Sequence, residues 1–231
     1  MLPYSEIWEN IVNIQDYQLP CNMRKTKEKV DLKLDDFLEL KNEFIISTIE
    51  YAQNIDKIME AHSQYIDFTF RYKEDDSIKR NWNKDNITKP LFKILNDIIG
   101  LRFVLPVSRE ELKETVEDFI SSCPNGKEKC RFTDLERDGY HGQHLYIKFN
   151  NNVFPIEVQF WTRTDALLNQ YLRDNIYARI DNEDIITYAR SLRQWLEDIP
   201  QMPESCGIKS YIDYLYEKAF QCNKGEVLKN V

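Results

Sequence analysis

The sequence lacks the features that mark several common classes of protein. No stretch reaches the roughly 18 apolar residues that a membrane-spanning helix needs. The N-terminal stretch carries Glu6, Glu9 and Asp16 without an apolar h-region, so no secretory signal is expected and a cytoplasmic location is. The five cysteines, Cys21, Cys123, Cys130, Cys206 and Cys222, contain no C-x-x-C pair. Their odd number and scatter suit reduced thiols better than a disulfide framework, with Cys123 and Cys130 the pair placed to meet across a loop. The three histidines, His62, His141 and His144, are too few for most His-rich metal sites. A formal net charge of −8 argues against non-specific coating of nucleic acid, while leaving room for a local basic cleft. No internal repeat and no low-complexity tract interrupts the chain.

What is present points to a packed core. The chain has 231 residues, 42% hydrophobic and 13% aromatic, which fits one large domain or one domain with helical additions. Tyr4 to Gln15, behind Pro3, reads as a short helix, and a basic stretch follows from Met23 to Lys33. Asp35 to His62 reads as one long amphipathic helix, with Phe37, Leu38, Phe44, Ile45, Ile49 and Ile55 near a helical period. Tyr65 to Lys73 alternates as a strand does, and Ser77 to Asn83 reads as a short helix with Ser77 at its N-cap. Asp97 to Leu105 is almost continuously apolar, as a buried central strand is. A helix over Arg109 to Ser122 and a strand over Cys130 to Arg137 precede a hairpin, Leu145–Phe149 and Val153–Trp161, around Asn150, Asn151 and Asn152. Helices are expected over Thr164 to Arg179, Glu183 to Glu197 and Ile208 to Gln221, with a loop at Pro200 and Pro203. This order predicts an α/β (α+β) fold with one mixed sheet flanked by helices and with helical extensions at both ends. The divisions expected are residues 1–64 helical, 65–180 the core and 181–231 C-terminal helices.

Several polar residues stand out against this pattern. Alternation puts Glu157, Gln159 and Trp161 on one face of their strand and His144, Tyr146 and Lys148 on the facing strand. That face either meets water, as on an edge hairpin, or holds something. Asp97, at the head of the most apolar strand, either caps a turn or supplies a second carboxylate beside Glu157. Two carboxylates on neighbouring strands are one way to grip a divalent metal with phosphate ligands. Gly100 permits close approach in that strand, and Arg102 lies on its side. Arg71 and Lys73 share one face of a strand end, ahead of Ser77, Lys79, Arg80 and Lys84. Such a run is either a solvated charged loop or, with a helix N-terminus, a polyphosphate site. Arg24 to Lys33 is likewise either a solvated helix start or a docking surface for tRNA or an acidic antitoxin.

Four stretches in order, "RYKEDDSI", "DIIGLRF", "DGYHGQH" and "IEVQFWT", resemble the motifs of the RelA/SpoT synthetase family over about Tyr65 to Arg179. The resemblance implies a nucleotidyltransferase-like fold and transfer of pyrophosphate from ATP to a ribose 3′-hydroxyl, as in alarmone synthesis from GDP or GTP. It places ATP on Arg71, Lys73 and Ser77, with Lys79 and Arg80 beside them, and Mg²⁺ on Asp97 and Glu157. It places Tyr140 as a stacking platform for the acceptor base, with His144, Gln159 and Asn169 at the acceptor. Glu157 coordinates metal or deprotonates the 3′-hydroxyl in this reading.

The chain departs from the family pattern at Asn81, where a lysine is usual and Lys79, Arg80 or Lys84 are the candidate replacements. Trp161 stands where "QIRT" has arginine, with Arg163 nearby. Leu172-Arg173 and Tyr177-Ala178 stand where an "EH…YK" pattern carries guanosine 5′-phosphate contacts. "GYHGQHLYI", "FPIEVQFWT" and "DALLNQYL" are similar to the toxic small synthetases, which implies a tRNA 3′ end or an adenosine nucleotide as alternative acceptors. Neither the family's hydrolase motif nor its regulatory domains are recognised in this sequence. A homo-oligomer is compatible with the family. The rival readings are a binding module without catalysis and a plain nucleotidyltransferase that releases pyrophosphate.

Overall fold

A computed structural model describes residues 2–30, 32–83, 89–123, 125–172 and 183–197. The expected helix over 208–221, the loop at Pro200 and Pro203, and Cys206, Cys222, Lys84, Arg173, Tyr177 and Ala178 lie outside the described residues.

Three helices form early in the chain: α1 Tyr4–Gln15, the short α2 Lys27–Val30 and the long α3 Leu34–Glu60. Strand β1 Asp67–Tyr72 leads through α4 Asp75–Asn83 and α5 Leu91–Ile94 to β2 Ile99–Leu105. Then come α6 Arg109–Ser121, α7 Gly126–Lys129, β3 Cys130–Arg137, β4 Tyr140–Ile147, β5 Ile156–Thr162, α8 Arg163–Leu172 and α9 Glu183–Glu197. Among the described residues, five strands form one mixed sheet in the order β1-β2-β5-β4-β3; β2 and β5 run parallel and the other neighbours antiparallel.

One face of the sheet is the core. Register pairs Ile99 with Ile156, Leu101 with Val158 and Phe103 with Phe160, so their side chains share a face. Ile7, Ile11 and Ile14 of α1, Phe37, Phe44 and Ile55 of α3, and Leu112, Val116 and Phe119 of α6 join them in one buried cluster. These helices are amphipathic at a helical spacing, and the apolar stripe of each meets that face. Phe103 stacks on Phe160 at 5.3 Å between ring centroids, and the Trp8 indole N–H donates to the Phe119 carbonyl oxygen at 2.7 Å.

The opposite face carries the polar residues. There α8 packs against β4 and β5, and Val104, Trp161 and Ala166 form a small apolar cluster. The rest of that face is lined by Arg71, Gly100, Arg102, Glu157, Gln159, His144 and Tyr146, as register requires. Strand β5 is central, and all seven of its residues are buried. The edge-hairpin alternative for Glu157 is therefore excluded.

Three local expectations need correction. The β4–β5 hairpin is offset from the predicted one: β4 begins at Tyr140 and β5 only at Ile156. Asp138 and Gly139 have positive φ of 53° and 84°, the two-residue turn that Asp-Gly favours, so pairing starts directly after them. Between the strands the Asn-rich loop closes on itself, with Asn152 N donating to Asn150 Oδ1 at 2.7 Å, and also pairs with the N-terminal segment. Leu19 N donates to Asn152 O at 2.6 Å, and Met23 N donates to Asn151 O at 2.7 Å. Ser77 is also not an N-cap: α4 begins two residues earlier, at Asp75, and the Ser77 N–H donates to Glu74 O at 3.0 Å. Among the described residues no helix is long and apolar enough to cross a membrane.

Candidate active site

Two groups of side chains meet on the polar face. At the β1–β2 end, Lys73 is buried and its ammonium pairs closely with Asp97. Arg71 Nη2 lies 3.7 Å from the other Asp97 oxygen. Lys73 N donates to Ile98 O at 2.9 Å, which carries the pairing one residue beyond β1 and aims this side chain at the Asp97 loop. The second group surrounds Glu157. Gly100 lies between the two: a Cβ there would sit 3.6 Å from Arg71 Nε and 4.0 Å from Glu157 Oε2. Arg71 and Glu157 thus overhang the same glycine, on the same side of the sheet.

Glu157 is held by a closed ring of side chains. Its Oε1 is 3.0 Å from His144 Nδ1 and accepts from the Tyr146 hydroxyl at 3.0 Å. His144 Nε2 is 2.6 Å from the Tyr140 hydroxyl, which accepts from Trp161 Nε1 at 3.2 Å. The Arg102 guanidinium lies 3.8 Å over the Trp161 ring centroid. Arg102 Nε donates to Gln159 Oε1 at 2.9 Å, and Gln159 Nε2 donates to Glu157 Oε2 at 2.8 Å, which closes the ring.

The electrostatics follow from these contacts. Burial pushes the Glu157 carboxyl up, but the hydrogen bond and charge of His144, the Tyr146 hydroxyl and Arg71 pull harder. The net result lies below the ordinary glutamate value. Tyr146 and Tyr140 are pushed well above the ordinary phenol range, chiefly by burial and further by the Glu157 charge. Both therefore remain hydroxyl donors at neutral pH.

Not every predicted site residue joins these groups. Ser77 is half-buried within α4, and Lys79 and Arg80 lie on the exposed side of that helix, with Lys79 3.4 Å from Asp76. Asn81 turns inward and donates to Ile94 O at 3.4 Å. Asn169 is buried, and its amide is occupied: Oδ1 accepts from His141 N at 3.2 Å and Nδ2 donates to His141 O at 2.6 Å. Arg163 does not stand in for the arginine that Trp161 replaces. It is buried and donates to Tyr65 O at 3.0 Å; Arg102 brings the guanidinium to Trp161 instead.

Sequence reasoning missed a second buried cluster, behind Tyr140. Asp165 is fully buried, with Oδ2 3.0 Å from His141 Nδ1 and Oδ1 2.5 Å from Arg193 Nη1. Nothing in the local pattern pairs these residues. Only Thr162-x-x-Asp165, a capping motif before a helix, marks Asp165 at all: the Thr162 hydroxyl donates to Asp165 Oδ2 at 2.8 Å and accepts from Asp165 N at 3.0 Å.

Glycine at 142 is a condition of the Trp161 position. A Cβ there would fall 2.6 Å from Trp161 Nε1 and 2.9 Å from the Tyr140 hydroxyl. Gly142→Ala is expected to displace both rings and to destabilise the protein by about 1–3 kcal/mol, read as a lower thermal midpoint. An unchanged midpoint would show that the ring packing has slack here.

Comparison with known proteins gives similarity in structure alone. The chain is similar to solved small alarmone synthetases. Small alarmone synthetase 1 from Bacillus subtilis, bound to its product pppGpp, is 16% identical with a TM-score of 0.47; the match covers 71% of this chain and 90% of that one. Small alarmone synthetase 2 from the same organism is 14% identical with a TM-score of 0.44, over 83% and 98%. A GTP pyrophosphokinase family protein from Streptococcus pneumoniae is 17% identical with a TM-score of 0.42, over 71% and 85%. No family model and no curated protein matches the chain.

Proposed function

We propose that the protein is a pyrophosphokinase that transfers the β,γ-pyrophosphoryl group of ATP to a ribose 3′-hydroxyl and releases AMP. The observation that carries this reading is the placement of Glu157, held by three donors, across Gly100 from the Arg71–Lys73–Asp97 group. The four motif stretches run through both groups. Arg71 and Lys73 bind the triphosphate, for which two cations on one strand end are suited. Glu157, a carboxylate at neutral pH, accepts the proton of the 3′-hydroxyl as its oxygen attacks the β-phosphorus. The bond from that phosphorus to the oxygen it shares with the α-phosphate breaks, and AMP carries that oxygen away. His144, Tyr146 and Gln159 hold both carboxylate oxygens in place and limit reorganisation during transfer.

Among the described residues, no group of three or more His, Cys, Asp or Glu side chains converges as a ready-made metal cage. Asp97 and Glu157 are the two carboxylates that would hold Mg²⁺ together with substrate phosphates, an oxygen-donor set of the kind that ion takes. Held there with ATP, Mg²⁺ would offset the charge that develops between the phosphates.

A second acceptor reading is favoured by one feature. A cleft of about 600 Å³ is lined by Arg24, Lys89, Lys93, Lys129, Arg131 and Lys148, with Glu128 as its acidic residue. Burial, and after it the neighbouring Arg24 charge, push the Lys148 ammonium below its ordinary value. Tyr146 lines this cleft and also donates to Glu157. In a chain of net charge −8, this concentration suits a phosphate-rich acceptor such as the 3′ end of tRNA.

The test is incubation with ATP labelled on its γ-phosphate plus GDP, an adenosine nucleotide or tRNA. Label should move to one acceptor as AMP forms. Pyrophosphate release would indicate transfer of a whole nucleotide, and the absence of AMP with every acceptor would indicate a binding module. If the acceptor is RNA, Lys93→Ala, at an exposed position, should reduce the log–log salt slope of RNA binding by about one. An unchanged slope would remove this cleft from RNA binding.

A further inference from the structure

Helix α9 belongs to no motif of the proposed transfer reaction, yet it reaches the turn from which Tyr140 projects. Arg193 is buried, and its guanidinium spans three partners. Nε donates to Gly139 O at 2.8 Å, Nη1 to Asp165 Oδ1 at 2.5 Å and Nη2 to Asn169 Oδ1 at 3.0 Å. One turn earlier, Arg190 Nη2 donates to Asp138 Oδ1 at 3.2 Å. Ala189 closes the contact: a Cβ on Gly139 would fall 2.7 Å from the Ala189 carbonyl oxygen.

The segment so gripped is a tight turn. Asp138 is at φ 53°, and Gly139 follows at φ 84°, a conformation that Asp-Gly adopts readily and that α9 fixes in place. The next residue is Tyr140, whose hydroxyl lies 2.6 Å from His144 Nε2, one link from Glu157. Asn169 and Asp165 continue the same grip onto His141, the residue after Tyr140. The guanidinium suits this role: it is planar, permanently charged and carries five N–H donors in a fixed fork.

We infer that Arg193 is a positioning residue that sets the acceptor half of the site from α9, by pinning the Asp138–Gly139 turn and the His141–Asp165–Asn169 cluster. The Arg71–Lys73–Asp97 group stands on β1 and at the head of β2, across Gly100 from Glu157, and not on the turn that Arg193 grips. The assignment of Tyr140 to the acceptor rests on the pyrophosphokinase reading; the structural coupling between Arg193 and Tyr140 does not.

The experiment uses Arg193→Ala and Arg193→Lys in the full chain, with two readouts. In nitrogen-15 NMR, the His144 ring and Trp161 indole signals should shift or broaden in Arg193→Ala, while the His62 ring signal stays in place. In kinetics, the KM for GDP, or for tRNA if label moves to RNA, should rise about ten- to a hundredfold, as loss of hydrogen bonds to charged groups does. The KM for ATP should not change. Arg193→Lys keeps the charge beside Asp165 but cannot span all three partners, so both effects should be intermediate. It also decides the question if the alanine variant does not fold. Added guanidinium should partly restore the alanine variant. Wild-type His144 and Trp161 signals in the variants, or an equal rise in both KM values, would overturn the inference. If the wild-type protein transfers nothing, the function reading fails on that result alone and the NMR readout still decides the coupling.

Discussion

Glu157→Gln is expected to lower the single-turnover transfer rate by about 10²- to 10⁴-fold, the usual contribution of a positioned general base, while the protein stays folded. The fold should survive because the replacement keeps the shape and has hydrogen-bonding options. The new amide nitrogen can face His144, which as a neutral imidazole can present Nδ1 as an acceptor. The remaining carbonyl oxygen can still accept from Gln159, which donates to Glu157 Oε2 at 2.8 Å. What is lost is the charge and the ability to take a proton. The wild-type pH profile should agree. Because the Glu157 carboxyl lies below its ordinary value in the folded protein, it is ionised throughout the neutral range. It loses charge only as pH falls through that depressed value, below the ordinary glutamate value of about 4.3. A transfer rate in Glu157→Gln close to that of wild type, with a native circular dichroism spectrum, would remove Glu157 from the proton-transfer role.

Asp165→Ala should have the largest effect on stability, a loss of about 3–5 kcal/mol. Asp165 is fully buried and receives Arg193 at 2.5 Å, His141 at 3.0 Å and the Thr162 hydroxyl at 2.8 Å, with Arg109 at 3.6 Å. Removing it leaves the buried Arg193 charge without its nearest counter-ion and takes away the carboxylate that accepts from the Thr162 hydroxyl at the start of α8. For a chain of this size the thermal midpoint should fall by about 6–20 °C. The pH dependence has a definite sign. Burial raises the Asp165 carboxyl, but His141, Arg193 and Thr162 outweigh it, and the folded value lies below the ordinary aspartate value. Its contribution is therefore present above the unfolded value of about 3.9. It is lost as pH falls through the lower folded value. The gap between wild type and Asp165→Ala should be wide at neutral pH and narrow in acid. A gap that is constant with pH would mean that packing, not charge, holds this position.

Much of the fold was legible because its signals are local. The bounds of α1, β3 and α9 agree with their expected spans, and α3 differs by one or two residues at each end. The face shared by Glu157, Gln159, His144 and Tyr146 followed from strand alternation alone, since a register match on neighbouring strands keeps such residues together. The early start of β4 had a readable cue, Asp138-Gly139 ahead of alternating residues. The α4 start was misplaced because Ser77 competes with Asp75 and Asp76 as an N-terminal residue, and tertiary contact decided between them. Lys41 of α3 is buried and reaches Asp75 at 2.5 Å, which draws Asp75 into the helix.

By itself, the sequence determined the helical and strand periods, the mixed α/β class and the set of carboxylates, cations and aromatics that the polar face presents. Those properties depend on residues within a few positions of one another. Only the tertiary structure decided that β5 is central, that Arg102 lies over the Trp161 ring and reaches Gln159, and that Arg193 holds the turn before Tyr140. These contacts join residues 57 and 54 positions apart, Arg102 to Gln159 and Arg193 to Gly139. The ladder register and the docking of α9 bring such pairs together, and no local periodicity encodes either.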